Sequence, residues 1–138
     1  MTTVVVVDSG PLVAFVDERD SNHTAVANVL NQGNFDFIIP ALCVAEATYL
    51  IERKFGPLVE ARFLESLTEF EIIAPDGDAW LRIGALVRQY ADFPLGGTDA
   101  SVVALAEQLD SDLVLTLDRR HFGAIHPVHC QALRLLPD

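Results

Sequence analysis

Four consecutive β-branched residues, Val4 to Val7, stop abruptly at Asp8-Ser9-Gly10-Pro11. Such an unbroken run suits a strand covered on both faces, as in a parallel sheet, and the Ser-Gly-Pro that follows both ends the strand and opens a helix. Asp8 therefore falls at the carboxyl end of a strand, the edge at which open α/β sheets bind ligands. A turn or helix cap also suits an aspartate there. Further carboxylates along the chain favour the functional reading over the cap.

The 138 residues fit one domain, 1–138, and a hydrophobic content of 51% supplies a substantial core. The apolar start carries no basic leader and is broken by Asp8, and no later stretch stays uncharged long enough to span a bilayer. The expectation is a soluble cytoplasmic protein with no membrane partner. Cys43 and Cys130 match neither a redox nor a zinc spacing and read as reduced thiols. A formal charge of -11, with Lys54 the one lysine, argues against holding nucleic acid on a broad basic face. It leaves room for a nuclease whose acids bind divalent cations and so reverse the field a phosphate meets.

After the first strand, a short apolar helix (Leu12 to Val16) leads into a polar turn from Asp17 to Asn22. An amphipathic helix starts at His23, and a second strand is read at Phe37 to Ile39. Asp17, Asp20 and His23 are explained by the turn and the helix start, and stay outside the site. From Phe37 to Ile51 the one charged residue is Glu46, set in a long helix beginning near Ala41. Leu42, Cys43, Tyr49 and Leu50 lie one turn either side, so Glu46 shares a largely apolar face, where a carboxylate needs a partner or a metal. The competing reading is that the helix surfaces at that point.

Gly56-Pro57 opens a helix with Leu58, Phe63, Leu64 and Leu67 on its apolar side. A short strand, Glu71 to Ile73, precedes a helix bearing Trp80, Leu81, Ile83, Leu86, Val87 and Tyr90, read as core or subunit contact. Gly96-Gly97 then delivers the chain to Thr98, a natural N-cap, and places Asp99 in the first turn of an apolar helix running to Leu109. The strand Leu113 to Leu117 closes on Asp118 and repeats the pattern of Val4 to Asp8. A loop and a final strand near Ala132 to Leu136 complete the chain. His126, His129 and Cys130 have metal-like spacing without a fourth ligand and read as loop.

No Gly-rich phosphate loop, nucleophile elbow or zinc signature is present, so the chemistry rests on isolated carboxylates. Oxygen-only ligands favour Mg²⁺ or Mn²⁺ over zinc. Such a site can bind a phosphodiester and activate water for in-line displacement.

With VVVVDSG around Asp8, VAEATY around Glu46, GGTDASV around Asp99 and LVLTLDRRHF around Asp118, the chain resembles the PIN-domain ribonucleases almost end to end. Within that family it is most similar to the VapC-type toxins of toxin-antitoxin modules. The resemblance implies a PIN-like three-layer α/β sandwich, with a central parallel sheet of about five strands flanked by helices. It also implies a Mg²⁺- (or Mn²⁺-) dependent endoribonuclease acting on RNA, a homodimer, and inhibition by a cognate antitoxin that enters the acidic site. By motif match Asp8 and Asp99 would be the principal metal ligands, Glu46 and Asp118 the completing acids, and Ser9, Thr98 and Thr116 supporting hydroxyls. Arg119 and Arg120 would contact RNA phosphate, with a solvated loop as the alternative.

Two other classes remain open at this point. A phosphatase-like α/β hydrolase would also place an aspartate nucleophile at a strand end, but would carry a second acid where Gly10 stands. A non-enzymatic domain would act through its acidic surface on a basic partner.

Overall fold

In the computed structural model, which describes residues 2–138, the valine run becomes β1 (Thr3–Val7), with Val5, Val6 and Val7 fully buried. It is the middle strand of a five-stranded sheet whose other members are β2 (Phe35–Pro40), β3 (Glu71–Ile73), β4 (Leu113–Leu115) and β5 (Arg134–Leu136). All neighbours pair in parallel, in the order β3-β2-β1-β4-β5. A strand with a partner on each side and helices above and below leaves no face for a polar side chain, which is why β1 does not alternate.

The helices are α1 (Ser9–Val16), α2 (His23–Leu30), α3 (Ala41–Phe55), α4 (Pro57–Ser66), α5 (Gly77–Gln89), α6 (Gly97–Gln108) and α7 (Arg119–Ala124). Helix α1 packs on both α2 and α3, α3 packs on α4, α5 packs on α6, and α6 lies against β1, β2 and β4. Accordingly α6 is buried almost all round, from Ala100 to Ala106. None of the described helices is long and apolar enough to cross a membrane.

The strand order positions the site. The chain steps outward from β1 to β2 and β3, then returns to pair β4 on the opposite side of β1. This reversal opens a crevice beyond the carboxyl ends of β1 and β4, the place where doubly wound sheets bind ligands. Asp8 and Asp118 leave the sheet there, each as the N-cap of the helix that follows.

Several local expectations are corrected. Thr98 is not the N-cap of α6: Gly96 is, in extended backbone, with the helix beginning at Gly97, and Asp99 still falls in the first turn. Strand β4 ends at Leu115, although Thr116 N continues the ladder to Leu136 O at 2.9 Å. Residues 119–124, read as part of a loop, form α7, started by the Asp118 side chain accepting from His121 N at 3.0 Å. On α4 only Phe63 is buried, while Leu58 and Leu64 are exposed, since the helix rests on its neighbour along a narrow stripe. Tyr90 belongs to the packed side of α5, with its hydroxyl accepting from His126 N at 2.9 Å, whereas Trp80, Leu81 and Val87 are exposed.

Candidate active site

Asp8 is 5% exposed and held at both oxygens. Its Oδ1 accepts the Ser9 backbone N–H at 2.8 Å and its Oδ2 accepts the Thr116 hydroxyl at 2.8 Å. The same Thr116 oxygen accepts Asp118 N–H at 3.0 Å, so one side chain ties together the ends of β1 and β4. Beneath Asp8 the Cys43 sulfur lies 3.9 Å from Oδ1. Burial, reinforced by the charges of Asp8, Glu46 and Asp99, pushes the Cys43 thiol far above its ordinary range, which leaves it a neutral, inert floor.

Of the two readings of Glu46, the structure bears out the second: the helix surfaces there, with Tyr49 and Leu50 exposed beside it. The buried stripe of α3 is Cys43, Ala47 and Ile51, and Glu46 falls one position off it, exposed on the side that faces the crevice. There it accepts a hydrogen bond from the Ser9 hydroxyl. Thus Ser9 serves two acids, its backbone N–H going to Asp8 and its hydroxyl to Glu46.

Asp99 and Asp118 complete an open pocket of about 400 Å³, lined by Asp8, Ser9, Gly10, Glu46, Leu50, Asp99, Leu117 and Asp118. No lysine or arginine is among these residues. Burial and, after it, the charges of Asp8, Asp118 and Glu46 push the Asp99 carboxyl up to about 6. Burial likewise raises Asp8, although the Thr116 and Ser9 hydrogen bonds pull it back part of the way. The imbalance is what a cation would relieve.

Two of the expected supporting residues make contacts of their own away from the acids. The Thr98 carbonyl accepts from the Ser101 hydroxyl at 2.6 Å, and Thr98 lies outside the pocket lining. Arg119 reaches back to the terminal strand, donating to the carbonyls of Leu135, at 3.4 Å, and Pro137. Arg120 instead lies over the Phe93 ring, 5.6 Å from its centroid. Sequence reasoning gave no role to Cys43, nor to His121, whose Nδ1 sits 2.9 Å from Asp118 Oδ2 without hydrogen-bond alignment. The i,i+3 spacing of Asp118 and His121 on a helix start was the available signal.

The residues set aside stay aside. Asp17 is paired with Lys54 at 2.6 Å, and the His23 ring contacts Ala14 O at 2.8 Å. His129 contacts Ser111 O at 2.7 Å, and Cys130 donates to Ala132 O at 3.4 Å. Among the described residues no three His, Cys, Asp or Glu side chains converge into a ready-made metal cage. The four acids surround the pocket with space between them instead. That fits Mg²⁺, which keeps several waters and takes only one or two carboxylates directly.

Comparison with known proteins agrees with this geometry. The family model of the PIN domain matches residues 5–125. The chain is similar to Ribonuclease VapC26 of Mycobacterium tuberculosis, 30% identical over 136 residues that cover 96% of this chain and 100% of that protein. Among solved structures it resembles VapC20 of Mycobacterium tuberculosis, a sarcin-ricin loop cleaving toxin, with a TM-score of 0.80 at 14% identity, covering 92% of this chain and 98% of that one. It also resembles VapBC2 of Rickettsia felis bound to a fragment of promoter DNA, with a TM-score of 0.71 at 16% identity over 96% and 97% of the two chains. A parallel sheet that reverses at β1, four acids around the resulting crevice and a near full-length match to a named ribonuclease agree: the chain belongs to the PIN-domain family, as a ribonuclease of the VapC type.

Proposed function

We propose that this ribonuclease hydrolyses RNA phosphodiesters at the pocket of Asp8, Glu46, Asp99 and Asp118 with Mg²⁺ or Mn²⁺ as cofactor, as the toxin of a toxin-antitoxin pair. The observation that carries the reading is the convergence of four carboxylates from four separate segments on one pocket without a cationic residue in its lining. A divalent cation, when bound, supplies the charge that lets a phosphodiester enter and the Lewis acidity that activates water.

The protein's own residues supply orientation. Ser9 N–H and Thr116 Oγ1 occupy two of the roughly four acceptor positions of the Asp8 carboxylate and leave the others for a ligand. Ser9 Oγ sets the rotamer of Glu46 across the crevice. Asp118 is fixed through its backbone by Thr116 and through its side chain by His121 N–H. Asp99, its carboxyl pushed up to about 6 by burial and the neighbouring acids, gives up its proton as a cation arrives.

An antitoxin segment that brings a basic group to these acids would compete with the metal. The exposed Trp80, Leu81 and Val87 face of α5 suits the homodimer that the resemblance implies. The test is cleavage of RNA with and without EDTA. Mg²⁺ or Mn²⁺ should restore activity and leave 5′-phosphate and 3′-hydroxyl ends. Undiminished cleavage in EDTA, or 2′,3′-cyclic phosphate ends, overturns the mechanism.

A further inference from the structure

Two cation-aromatic pairs have their arginines on α3 and α7, the helices that carry Glu46 and follow Asp118. On α3, Arg53 lies 5.6 Å from the Tyr49 ring centroid and donates to the Tyr49 hydroxyl at 2.8 Å. Tyr49 is 56% exposed, and Tyr49 and Arg53 follow Glu46 and Leu50, which line the pocket, on adjoining rows of the helix. On the other side, Arg120 lies over Phe93, whose ring also packs on His121 at 4.8 Å between centroids. Phe93 is in the loop that leads to Asp99, and Arg120 is two residues past Asp118. Helix α3 follows β2 and α7 follows β4, the two strands that flank β1, so the pairs stand on opposite sides of Asp8.

The remaining cations make the choice narrower. Lys54 is paired with Asp17, Arg82 with Glu107 and Arg134 with Asp112, while Arg119 is engaged by backbone carbonyls. Among the described residues Arg19, Arg53, Arg62, Arg88 and Arg120 have no carboxylate partner, and of these Arg53 and Arg120 are the ones on helices that carry or are capped by a pocket acid, Glu46 on α3 and Asp118 at the start of α7. A ring that offers a flat face beside a guanidinium takes an unstacked base and its phosphate together.

We infer that the substrate strand crosses the acids from Tyr49-Arg53 to Phe93-Arg120, each pair holding one nucleotide that flanks the cleaved bond. The inference rests on the ribonuclease reading and assigns positioning roles to these four residues, with the strand unpaired where it meets the rings, because bases inside a duplex cannot reach either of them.

The probe is a fluorescein-labelled single-stranded oligonucleotide of the sequence that the wild-type protein cuts from total bacterial RNA, mapped by end sequencing. Tyr49→Leu and Phe93→Leu should each raise KM about tenfold with kcat nearly unchanged, and Tyr49→Phe and Phe93→Tyr should restore it. Arg53→Gln and Arg120→Gln should each reduce the slope of log KM against log salt by about 0.7, the effect of one lost phosphate contact on a single strand. Thermal melts at the wild-type temperature confirm that the variants are folded, and Asp8→Asn serves as the control that loses kcat instead. If wild type cuts RNA while all four variants keep its KM and salt slope, the strand path is wrong and the ribonuclease reading stands. Variants that keep both but bind the antitoxin more weakly assign the rings to a protein interface, which also overturns the path. If wild type cuts no RNA in Mg²⁺, both readings fall together.

Discussion

The Thr116 hydroxyl donates to Asp8 Oδ2 at 2.8 Å from a position 108 residues away in the chain, and the bond is buried. The same oxygen takes Asp118 N–H, so Thr116 holds two of the four acids in register across the gap between β1 and β4. Thr116→Val keeps the shape and removes both roles. It should destabilise the protein by about 1–3 kcal/mol in urea denaturation, the range for a charged acceptor left short of a donor, and should weaken Mg²⁺ binding. Thr116→Ser should restore both, and a valine variant that binds Mg²⁺ normally would remove Thr116 from the support of the site.

Asp99 should limit the stability of the metal-free protein. Its carboxyl titrates at about 6 in the fold, against roughly 3.9 in an unfolded chain. The folded state therefore holds the proton more tightly, and stability present below pH 4 is lost as pH rises through 6. In EDTA at pH 7.5, Asp99→Asn should melt at or above the wild-type temperature. With Mg²⁺ at one hundred times the dissociation constant, wild type should gain about 2.7 kcal/mol and the variant less. A variant that melts well below wild type in EDTA, responds equally to Mg²⁺ and still cuts RNA would exclude Asp99 from the site.

The same proton should make metal affinity pH-dependent. Below pH 6 a cation must displace it from Asp99, so the apparent Mg²⁺ dissociation constant should rise about tenfold per pH unit, and level off above that value. Isothermal titration between pH 5 and 8 measures this directly. In Asp99→Asn the dependence should flatten, leaving the smaller contribution of Asp8, whose carboxyl burial also raises.

Arg82 and Glu107 give a contrasting case away from the pocket. Arg82 Nε and Nη2 donate to the two Glu107 oxygens at 2.7 and 2.9 Å, and Glu107 also accepts Val128 N–H at 2.9 Å. Burial would raise the Glu107 carboxyl, but the Arg82 and Val128 hydrogen bonds outweigh it and hold the group below its usual range. Stability from this group is present above the unfolded value of about 4.3 and is lost as pH falls below it. Arg82→Ala should cost about 1.5–3 kcal/mol at pH 7 while kcat for RNA stays near wild type. A large loss of kcat in a protein that remains folded would show that α5 and α6 couple to the site.

What the sequence determined by itself was local. The valine run, the two strand-to-helix aspartates and the helix start at Asp99 are each set by neighbours within a few residues, and each is found in the fold, with β4 ending two residues early and α6 starting at Gly97 instead of from a Thr98 cap. The parallel architecture followed from the same runs, because a strand without polar alternation must be covered on both faces. The partnerships between distant residues were not legible. Glu46 kept two readings because helical spacing shows which residues share a face, but not which face the rest of the chain will cover. Arg119 and Arg120 are adjacent and chemically alike, yet one reaches back to the terminal strand and the other rests on Phe93. Only tertiary structure could separate them, since consecutive residues on a helix point about 100° apart and the fold decides what stands in each direction. The four acids lie far apart in the chain and meet because β4 returns beside β1 and α3 and α6 close on the crevice, a choice made by the packing of the whole core.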